Sequence, residues 1–310
     1  MFDRNYDAQV RAAAFEWLSD QIARHGDVLP RSLLAEGFRL DGIRVPLIGP
    51  QGIFKPKVLQ EVPLSITTAP DGPYDDSFGT NNLLRYRYRG TNIDHSDNRG
   101  LRSAMENRVP LVYFHGLVPG KYLAAWPVFV VADNPTDLAF SVAVDDATYM
   151  GLNIEAASNS AAQDTSDEDA RRRYVTAAVK VRLHQRTFRE RVLVAYQHQC
   201  AFCRLRHEEL LDAAHIVPDS DPMGEPVVYN GLALCKLHHA VFDSNFIGLR
   251  PDYVIEVRHD ILKERDGPTL AHAIQALHGS HITLPKRIAL RPALDLVETR
   301  YMQFLEGNRA

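Results

Sequence analysis

Three cysteines and one histidine occur at spacings that are typical of metal ligands. Two residues separate Cys200 from Cys203, and two residues separate Cys235 from His238. Thiolate sulfur and imidazole nitrogen suit tetrahedral zinc, and two such pairs supply four ligands, which leaves no position for water. The chain has 3 cysteines, an odd number that cannot be fully paired as disulfides within it. The spacing therefore predicts a closed, structural Zn²⁺ site.

Two more histidines and an asparagine lie between and beside these pairs. They occur in the order His215, Asn230, His239, within the string CAFC…LLDAAHIVP…NGLALCKLHHAVFD. This order, in which the three residues lie between and beside the two predicted zinc-binding pairs, resembles the HNH motif of nucleases with the ββα-metal fold. The whole string is especially similar to the HNH domains of bacterial modification-dependent restriction endonucleases. The resemblance covers about 50 residues, and its motifs arrive together in the right order.

The resemblance implies a chemical role for each of the three residues. His215, at the end of a first strand, would deprotonate water, because neutral imidazole has a pKa suited to general-base work. His239 would bind a divalent ion (Mg²⁺, Mn²⁺, Co²⁺ or Ni²⁺) that neutralises charge on the scissile phosphate. Asn230 would hold the backbone or the ring of His215. A helix that opens near Leu234 would present His238 to the zinc and His239 to the catalytic metal.

One position departs from the HNH pattern. Many HNH enzymes carry an acidic metal ligand immediately before the base histidine, and Ala214 stands there in this chain. Asp243, one helical turn after His239, could complete the catalytic metal site, or it could be a solvated carboxylate at the helix end. Asp212 is a weaker candidate, and waters and phosphate oxygens are a further alternative.

The segment before the first cysteine pair, residues 170–199, is predicted to be a basic helix. From Arg171 to Arg191 it holds eight basic residues and one acidic residue, a local charge of +7 in a chain whose net charge is −4. A phosphate backbone responds to such a local concentration of charge. Arg186 and Arg189, nearest the zinc site, are therefore predicted DNA-backbone contacts. The alternative is that the run is a solvated helix face.

The first half of the chain has short β-type runs separated by turn residues, from about residue 40 to about residue 147, which predicts a barrel or a sandwich. Within it, the string LLRYRYRG alternates strictly. On a strand, Arg85, Arg87 and Arg89 would face one side and Tyr86 and Tyr88 the other. The arginine face is predicted to bind DNA phosphates, with a solvated strand face as the alternative.

A second, looser resemblance extends over this half. The succession GIFKP…PLSI…YDDSF…YRYRG…LRSAMENRVPLVYF is similar to the SRA (SET and RING-associated) domain, which binds a modified cytosine after flipping it out of the duplex. The resemblance implies that Tyr74 and Tyr88 sandwich the flipped base and that Asp76 contacts its polar edge. Extrusion costs stacking energy that aromatic faces can restore.

These observations predict an α+β protein of two domains. They comprise an SRA-like β-barrel with flanking helices at 1–154, an acidic flexible linker at 155–169, and a zinc-stapled ββα-metal domain at 170–310. The chain has 45% hydrophobic and 24% charged residues, a composition close to that of an ordinary globular protein, which excludes disorder of the whole chain. The longest apolar stretch, residues 123–132, is far shorter than the roughly 20 residues of a membrane span. The first residues, MFDRNYDAQVR, contain no apolar signal-peptide core, so a cytoplasmic location without a membrane partner is expected.

The predicted function is a modification-dependent DNA endonuclease of the HNH type. Its partner would be double-stranded DNA that carries modified cytosine, and defence against foreign DNA would be its purpose. HNH modules often cut one strand each, so a homodimer is expected. Two alternatives stay open. One is an HNH nuclease that recognises a sequence or a phosphorothioate backbone, and the other is a non-catalytic, zinc-stapled DNA-binding protein.

Overall fold

The computed structural model describes residues 4–70, 83–144 and 165–307; side chains in the last range are described from residue 175 to residue 306. The chain divides into two compact units, residues 1–183 and residues 184–310. Within the described residues, no helix is both long enough and apolar enough to cross a membrane.

Unit 1 combines helices with a large sheet. Its helices are α1 (Arg4–His25), α2 (Arg31–Glu36), α3 (Ser96–Glu106) and the first part of α4 (Thr165–Ala195). Its strands are β1 (Val28–Pro30), β2 (Phe38–Leu40), β3 (Ile43–Val45), β4 (Ile53–Phe54), β5 (Ser65–Thr68), β6 (Leu84–Arg87), β7 (Leu111–Val118), β8 (Lys121–Asn134) and β9 (Ala139–Val144).

Seven of these strands form one curled sheet. Its order is β4-β5-β7-β8-β9-β6, with β1 paired to β8, while β2 and β3 form a separate hairpin. Only the β5–β7 pair is parallel among the described ladders of this sheet. The mixed α+β class is confirmed. The SRA-like barrel is not confirmed, because the described end strands β4 and β6 do not pair with each other.

The alternating string LLRYRYRG forms strand β6 and the residues after it. Leu84, Tyr86 and Tyr88 are buried in the hydrophobic core of unit 1. The three arginines of the string alternate with them and are half-buried. The period of two along an extended strand places successive side chains on opposite faces, as the sequence predicts.

Helix α4 is longer than the sequence predicts at its first end. Residues 155–164 of the predicted acidic linker lie outside the described residues, while residues 165–169 are helical. The division between the units falls later, after Leu183. The helix ends at Ala195, and Gln197 and His198 then adopt left-handed backbone conformations with φ of 55° and 52°.

Unit 2 contains the predicted ββα arrangement. Strands β10 (Leu211–His215) and β11 (Gly231–Cys235) pair antiparallel, and α5 (Lys236–Asp243) follows β11 directly. The remaining elements are β12 (Ile247–Leu249), β13 (Ile255–Val257), α6 (His259–Lys263), α7 (Pro268–Ala273) and α8 (Leu294–Gly307). Short 3₁₀ turns occur at Glu208–Leu210, Val228–Asn230, Gln275–Leu277 and Ile288–Leu290.

Candidate active site

The four predicted zinc ligands lie together in unit 2. Their ligand atoms are all within 4.8 Å of one another, and we call Cys200, Cys203, Cys235 and His238 the Cys₃His cluster. Nδ1 of His238 lies 3.5 Å from Sγ of Cys200 and 3.2 Å from Sγ of Cys235. Atoms bound tetrahedrally to one Zn²⁺ ion are about 3.3–3.8 Å apart. The cluster therefore fits a structural zinc ion.

Local backbone geometry brings the two halves of the cluster together. The first pair lies in a tight turn in which the Arg204 amide donates to the Cys200 carbonyl at 2.9 Å. Arg204 completes this turn with a positive φ of 63°. The amide of Ala201 donates to the Ala233 carbonyl at 2.7 Å, which ties the turn to β11. Cys235 is the last residue of that strand, so the second pair begins where strand passes into helix.

The remaining nitrogen of His238 has its own partner. Its Nε2–H donates to the carbonyl of Ala273, at the end of α7, over 2.7 Å. A histidine that ligates a metal commonly donates its other ring proton in this way, which fixes the tautomer and the ring orientation. The sequence alone gives no signal for Ala273, because the contact uses a backbone atom of a distant helix.

The thiols of the cluster affect each other strongly. Hydrogen bonds from the thiols of Cys200 and Cys203 lower the pKa of Cys235. Hydrogen bonds to Cys200 and Cys235 raise the pKa of Cys203, and burial raises it as well. Adjacent thiolates repel each other unless a cation neutralises them, so the donor set itself favours a bound metal ion.

His215, the predicted base, is the last residue of β10. Its ring stacks on Phe188 of α4, with the ring centroids 4.2 Å apart and the planes at 17°. Nε2 of His215 is enclosed and has no hydrogen-bond partner among the described residues. Burial lowers the pKa of His215, and the nearby charge of His239 lowers it further, against the opposite effect of Asp219. A lowered pKa keeps the ring neutral, as a base requires.

Asn230 is completely buried and closes the turn that follows His215. Its Oδ1 accepts from the amide of Val217 and its Nδ2 donates to the carbonyl of the same residue, both at 3.0 Å. The Nδ2 also donates to the carbonyl of Glu225 at 3.0 Å. Its own carbonyl accepts from the amide of Ile216 at 2.9 Å. These bonds hold the backbone next to His215, one of the two positioning roles that the resemblance implies.

His239 lies between two carboxylates. Its Nδ1 is 3.7 Å from the carboxylate of Asp212, and its Nε2 is 3.2 Å from that of Asp243. The two carboxylates raise the pKa of His239 to about 9. His238, one residue earlier on α5, is buried at the zinc ligands, so the two adjacent histidines are divided between two clusters as the sequence predicts. Each imidazole–carboxylate pair offers two ligands to a divalent ion, and water and phosphate could take the other positions.

Asp212 is closer to this arrangement than its sequence position suggests. Ala214 occupies the usual position of the acidic ligand, and Asp212 precedes it by two residues on the same strand, so both lie on one face of β10. Burial alone would raise the pKa of Asp212, but hydrogen bonding to His239 and to the amide of Ala213, together with the charge of Arg189, lowers it. The period of two is the signal that could have ranked Asp212 beside Asp243.

The arginines predicted to bind DNA phosphates have different surroundings. Arg189 donates to the carboxylate of Glu190 at 2.7 Å and to the carbonyls of Glu208 and Leu211 at 3.1 and 2.9 Å. These bonds of the guanidinium therefore fix the backbone at the start of β10. Arg186 is half-buried.

On the other unit, Arg89 pairs with Asp97 and Gln51. Arg85 and Arg87 lie half-buried on the arginine face of β6, where Arg85 approaches the Asp137 carbonyl at 3.5 Å.

Of the three predicted base-pocket residues, Tyr74 and Asp76 lie outside the described residues. Tyr88 is 2% exposed and packs on Phe140, with the ring centroids 4.6 Å apart. Its hydroxyl donates to Asp133 and accepts from Arg102, and the two charged groups form an ion pair at 2.6 Å. Burial and the bond to Asp133 raise the pKa of Tyr88. Arg102 and Asp133 come from α3 and β8, and the sequence motifs give no signal for them.

The Cys₃His cluster generates a first prediction. We expect the purified protein to contain about one zinc ion per chain, and Cys203→Ser to lose it and to unfold at a lower temperature, because structural zinc contributes directly to folding. Elemental analysis and thermal unfolding measure both effects. His207→Ala, an exposed histidine four residues away, is the control and should keep its zinc. Full zinc content in the Cys203→Ser protein would contradict the assignment.

The environment of His215 generates a second prediction. Its pKa is lowered from the usual 6.5. A base of lowered pKa stays unprotonated further into the acid range, so at saturating Mn²⁺ we expect kcat/KM for cleavage to hold constant from about pH 8 to about pH 6.5 and to fall only below that. A cleavage profile over this range is the measurement. A half-maximal rate well above pH 6.5 would be the opposite result.

Comparisons with known proteins bear on the same segment. A family model described as HNH endonuclease matches residues 200–250. Among solved structures, the chain is similar to a modification-dependent TagI restriction endonuclease, at 16% identity over 78% of this chain and 82% of that chain, with a TM-score of 0.29. A second similar structure is the type IV phosphorothioation-dependent restriction endonuclease ScoMcrA. The identity is 14% over 98% of this chain and 65% of that chain, with a TM-score of 0.22. TM-scores this low do not show a shared fold. No curated protein sequence matches the chain.

The matched range contains the complete Cys₃His cluster together with His215, Asn230 and His239. The geometry places these residues on a zinc-compatible ββα unit, in the order that the sequence motif predicts. The prediction of an HNH-type enzyme is confirmed: residues 200–250 of this chain form an endonuclease domain of the HNH family.

Proposed function

We propose that this protein is a DNA endonuclease that depends on a divalent metal ion and cleaves duplexes carrying a modified cytosine. The observation that carries the nuclease part is the arrangement at the end of β10. A histidine kept neutral by burial, His215, lies close enough to His239 and Asp243 for their charges to affect its pKa. A proton acceptor and a set of metal ligands are the two requirements for hydrolysis of a phosphodiester.

The chain's own residues would act as follows. His215 accepts the proton of the attacking water, so that hydroxide attacks phosphorus, the bond from phosphorus to the deoxyribose oxygen breaks and that oxygen leaves. Asn230 keeps the turn after His215 fixed through its bonds to Val217 and Glu225. His239 would hold the divalent ion together with Asp212 or Asp243. When bound, this ion supplies Lewis acidity that stabilises the negative charge on the phosphate oxygens.

The recognition part of the proposal concerns unit 1. It is supported by the similarity of its sequence to SRA domains and by strand β6, whose arginines lie on the face opposite to its tyrosines. In this proposal Tyr74 and Asp76 contact the flipped base. Tyr88, with its hydroxyl fixed by Asp133 and Arg102, supports the pocket from the core. In this proposal DNA phosphates are contacted by Arg85, Arg87, Arg89, Arg186 and Arg189, of which Arg89 and Arg189 also bond to protein groups.

Two further elements complete the proposal. Each HNH module cuts one strand, so that a homodimer makes a double-strand break. The biological role is the restriction of foreign DNA that carries the modification. The alternative is a nuclease that recognises a sequence or a phosphorothioate instead of a flipped base. Digestion of duplexes that differ only in their modification separates it from the main proposal.

The nuclease assignment predicts a clear effect of His215→Ala. Loss of the proton acceptor should lower the cleavage rate by at least about 100-fold, since general-base catalysis typically contributes 10²–10⁴-fold. Zinc content and the dissociation constant for DNA should stay at the wild-type values. His259→Ala, an exposed histidine of the same unit, is the matched control and should cleave normally. If His215→Ala cleaves at the wild-type rate, His215 is not the catalytic base. If the wild-type protein itself binds DNA but cleaves no duplex, the protein is a binding module.

The recognition assignment predicts selectivity for modified cytosine. One duplex is prepared with unmodified, 5-methyl-, 5-hydroxymethyl- or glucosylated cytosine or with a phosphorothioate backbone, and each is digested with Mg²⁺, Mn²⁺, Co²⁺ or Ni²⁺. We expect cleavage of at least one modified-cytosine duplex and little of the unmodified one. Tyr74→Ala should remove this preference and Tyr74→Phe should keep it, because base stacking needs the ring and not the hydroxyl. Cleavage restricted to the phosphorothioate duplex would support the alternative.

A further inference from the structure

The ring of His215 is covered on one face by Phe188. The two rings are 4.2 Å apart and nearly parallel, at 17°. Phe188 is 3% exposed and belongs to the hydrophobic core of unit 2. It lies on α4, outside the range 200–250 that matches the HNH family. The contact therefore comes from a residue outside the matched segment.

A glycine makes this stack possible. Gly231 pairs with His215 across the β10–β11 ladder. A Cβ atom on Gly231 would lie 3.0 Å from two ring carbons of Phe188 and 2.5 Å from a methyl group of Val192. Gly231 has a φ of −131°, an extended conformation that any residue can adopt. Glycine is thus needed here for close approach, not for its backbone freedom.

The orientation of the His215 ring needs such a support. A catalytic or metal-binding histidine is usually oriented by a hydrogen bond to its second ring nitrogen. Nε2 of His215 is enclosed and has no such partner among the described residues. A flat aromatic surface restricts rotation of the imidazole without any hydrogen bond, since only nearly parallel orientations keep the two rings in contact.

The helix turn that carries Phe188 is itself fixed to the catalytic strand. The neighbouring Arg189 donates to the carbonyls of Glu208 and Leu211, and Leu211 is the first residue of β10. The guanidinium also pairs with the buried Glu190. The helix turn that carries Phe188 is therefore held to β10 at both ends of the strand. Arg189 bonds to Leu211 at its start, and Phe188 stacks on His215 at its end.

We propose that Phe188 is a positioning residue for the catalytic base: its ring, seated over Gly231, holds the imidazole of His215 in the orientation that accepts a proton from water. This inference rests on the proposed function, in which His215 is the base. Phe188 itself touches neither DNA nor metal in this proposal. Its effect belongs to the rate of the chemical step and not to DNA binding.

Phe188→Leu tests the proposal, because leucine fills much of the same space but has no flat face. Misplacement of a reacting group by about 1 Å can cost on the order of 100-fold in rate. We therefore expect the single-turnover cleavage rate to fall by about 10- to 100-fold, on the duplex that the wild-type protein cleaves best. The dissociation constant for that duplex should stay within about 2-fold, since the phosphate contacts are unaltered.

The chain offers a closely matched control. Phe304 is also fully buried in unit 2 and also lies over a glycine, since a Cβ atom on Gly248 would be 2.5–2.9 Å from its ring. Phe304→Leu removes the same atoms from the same unit without removing the ring that faces His215. It should lower thermal stability to a similar degree and leave the cleavage rate unchanged.

A second measurement is independent of activity. In the protein labelled with ¹³C-histidine, a ring stacked at 4.2 Å shifts the carbon-bound protons of His215 upfield. We expect this shift to disappear in Phe188→Leu, to be reduced in Gly231→Ala, which keeps the phenyl ring but displaces it, and to remain in Phe304→Leu.

The outcomes separate this inference from the proposed function. If the wild-type spectrum lacks the upfield shift, or if Phe188→Leu cleaves at the wild-type rate, Phe188 does not position the base, even when His215→Ala is inactive. If His215→Ala is fully active, the assignment of His215 as the base fails first, whatever the behaviour of Phe188. A fall in rate shared equally by Phe188→Leu and Phe304→Leu would show a general loss of stability and would also overturn the inference.

Discussion

The convergence of three thiols and one imidazole is the interaction on which the HNH unit depends. Cys235 ends β11 and His238 lies in the first turn of α5, so a metal bound by both fixes the angle between strand and helix. The turn that carries Cys200 and Cys203 is bonded to the same strand through Ala201 and Ala233. A cation bound at this point would add to the buried hydrophobic core into which both strands and α5 pack. The direction of His239 follows from that angle.

Neighbouring groups give the two functional histidines opposite protonation properties. His215 is partly buried against an aromatic ring, which disfavours its charged form and lowers its pKa. His239 lies between Asp212 and Asp243, whose negative charges favour the charged form and raise its pKa to about 9. The same side chain thus favours its neutral form in one position and its protonated form between two carboxylates in the other. Two groups whose surroundings move their pKa values apart are the usual sign of divided acid–base roles.

The basic residues of α4 whose side chains are described have different surroundings. The sequence shows a run of basic residues and cannot tell which of them find protein partners. Arg189 bonds to Glu190 and to the backbone at the start of β10, so that it stabilises the strand that ends in His215. On β6, Arg89 is likewise paired, with Asp97 and Gln51. A local surplus of charge therefore does not show which arginines also bond to carboxylates and carbonyls of the protein itself.

Local spacing determined the parts of the site that are close in the chain. The ligand pairs two residues apart, the order of His215, Asn230 and His239, and the division of His238 from His239 follow from strand and helix periods, and the ββα order could be predicted from them. The class of the fold, α+β, was equally accessible, whereas the order of the seven strands was not, because the pairing of distant strands depends on contacts that no short motif records. Only the tertiary structure joined Phe188 to His215, Ala273 to His238 and Arg102 to Tyr88. Each of these contacts links residues 14 or more positions apart and uses a ring face, a carbonyl or a buried ion pair, and such partners are selected by packing rather than by sequence spacing.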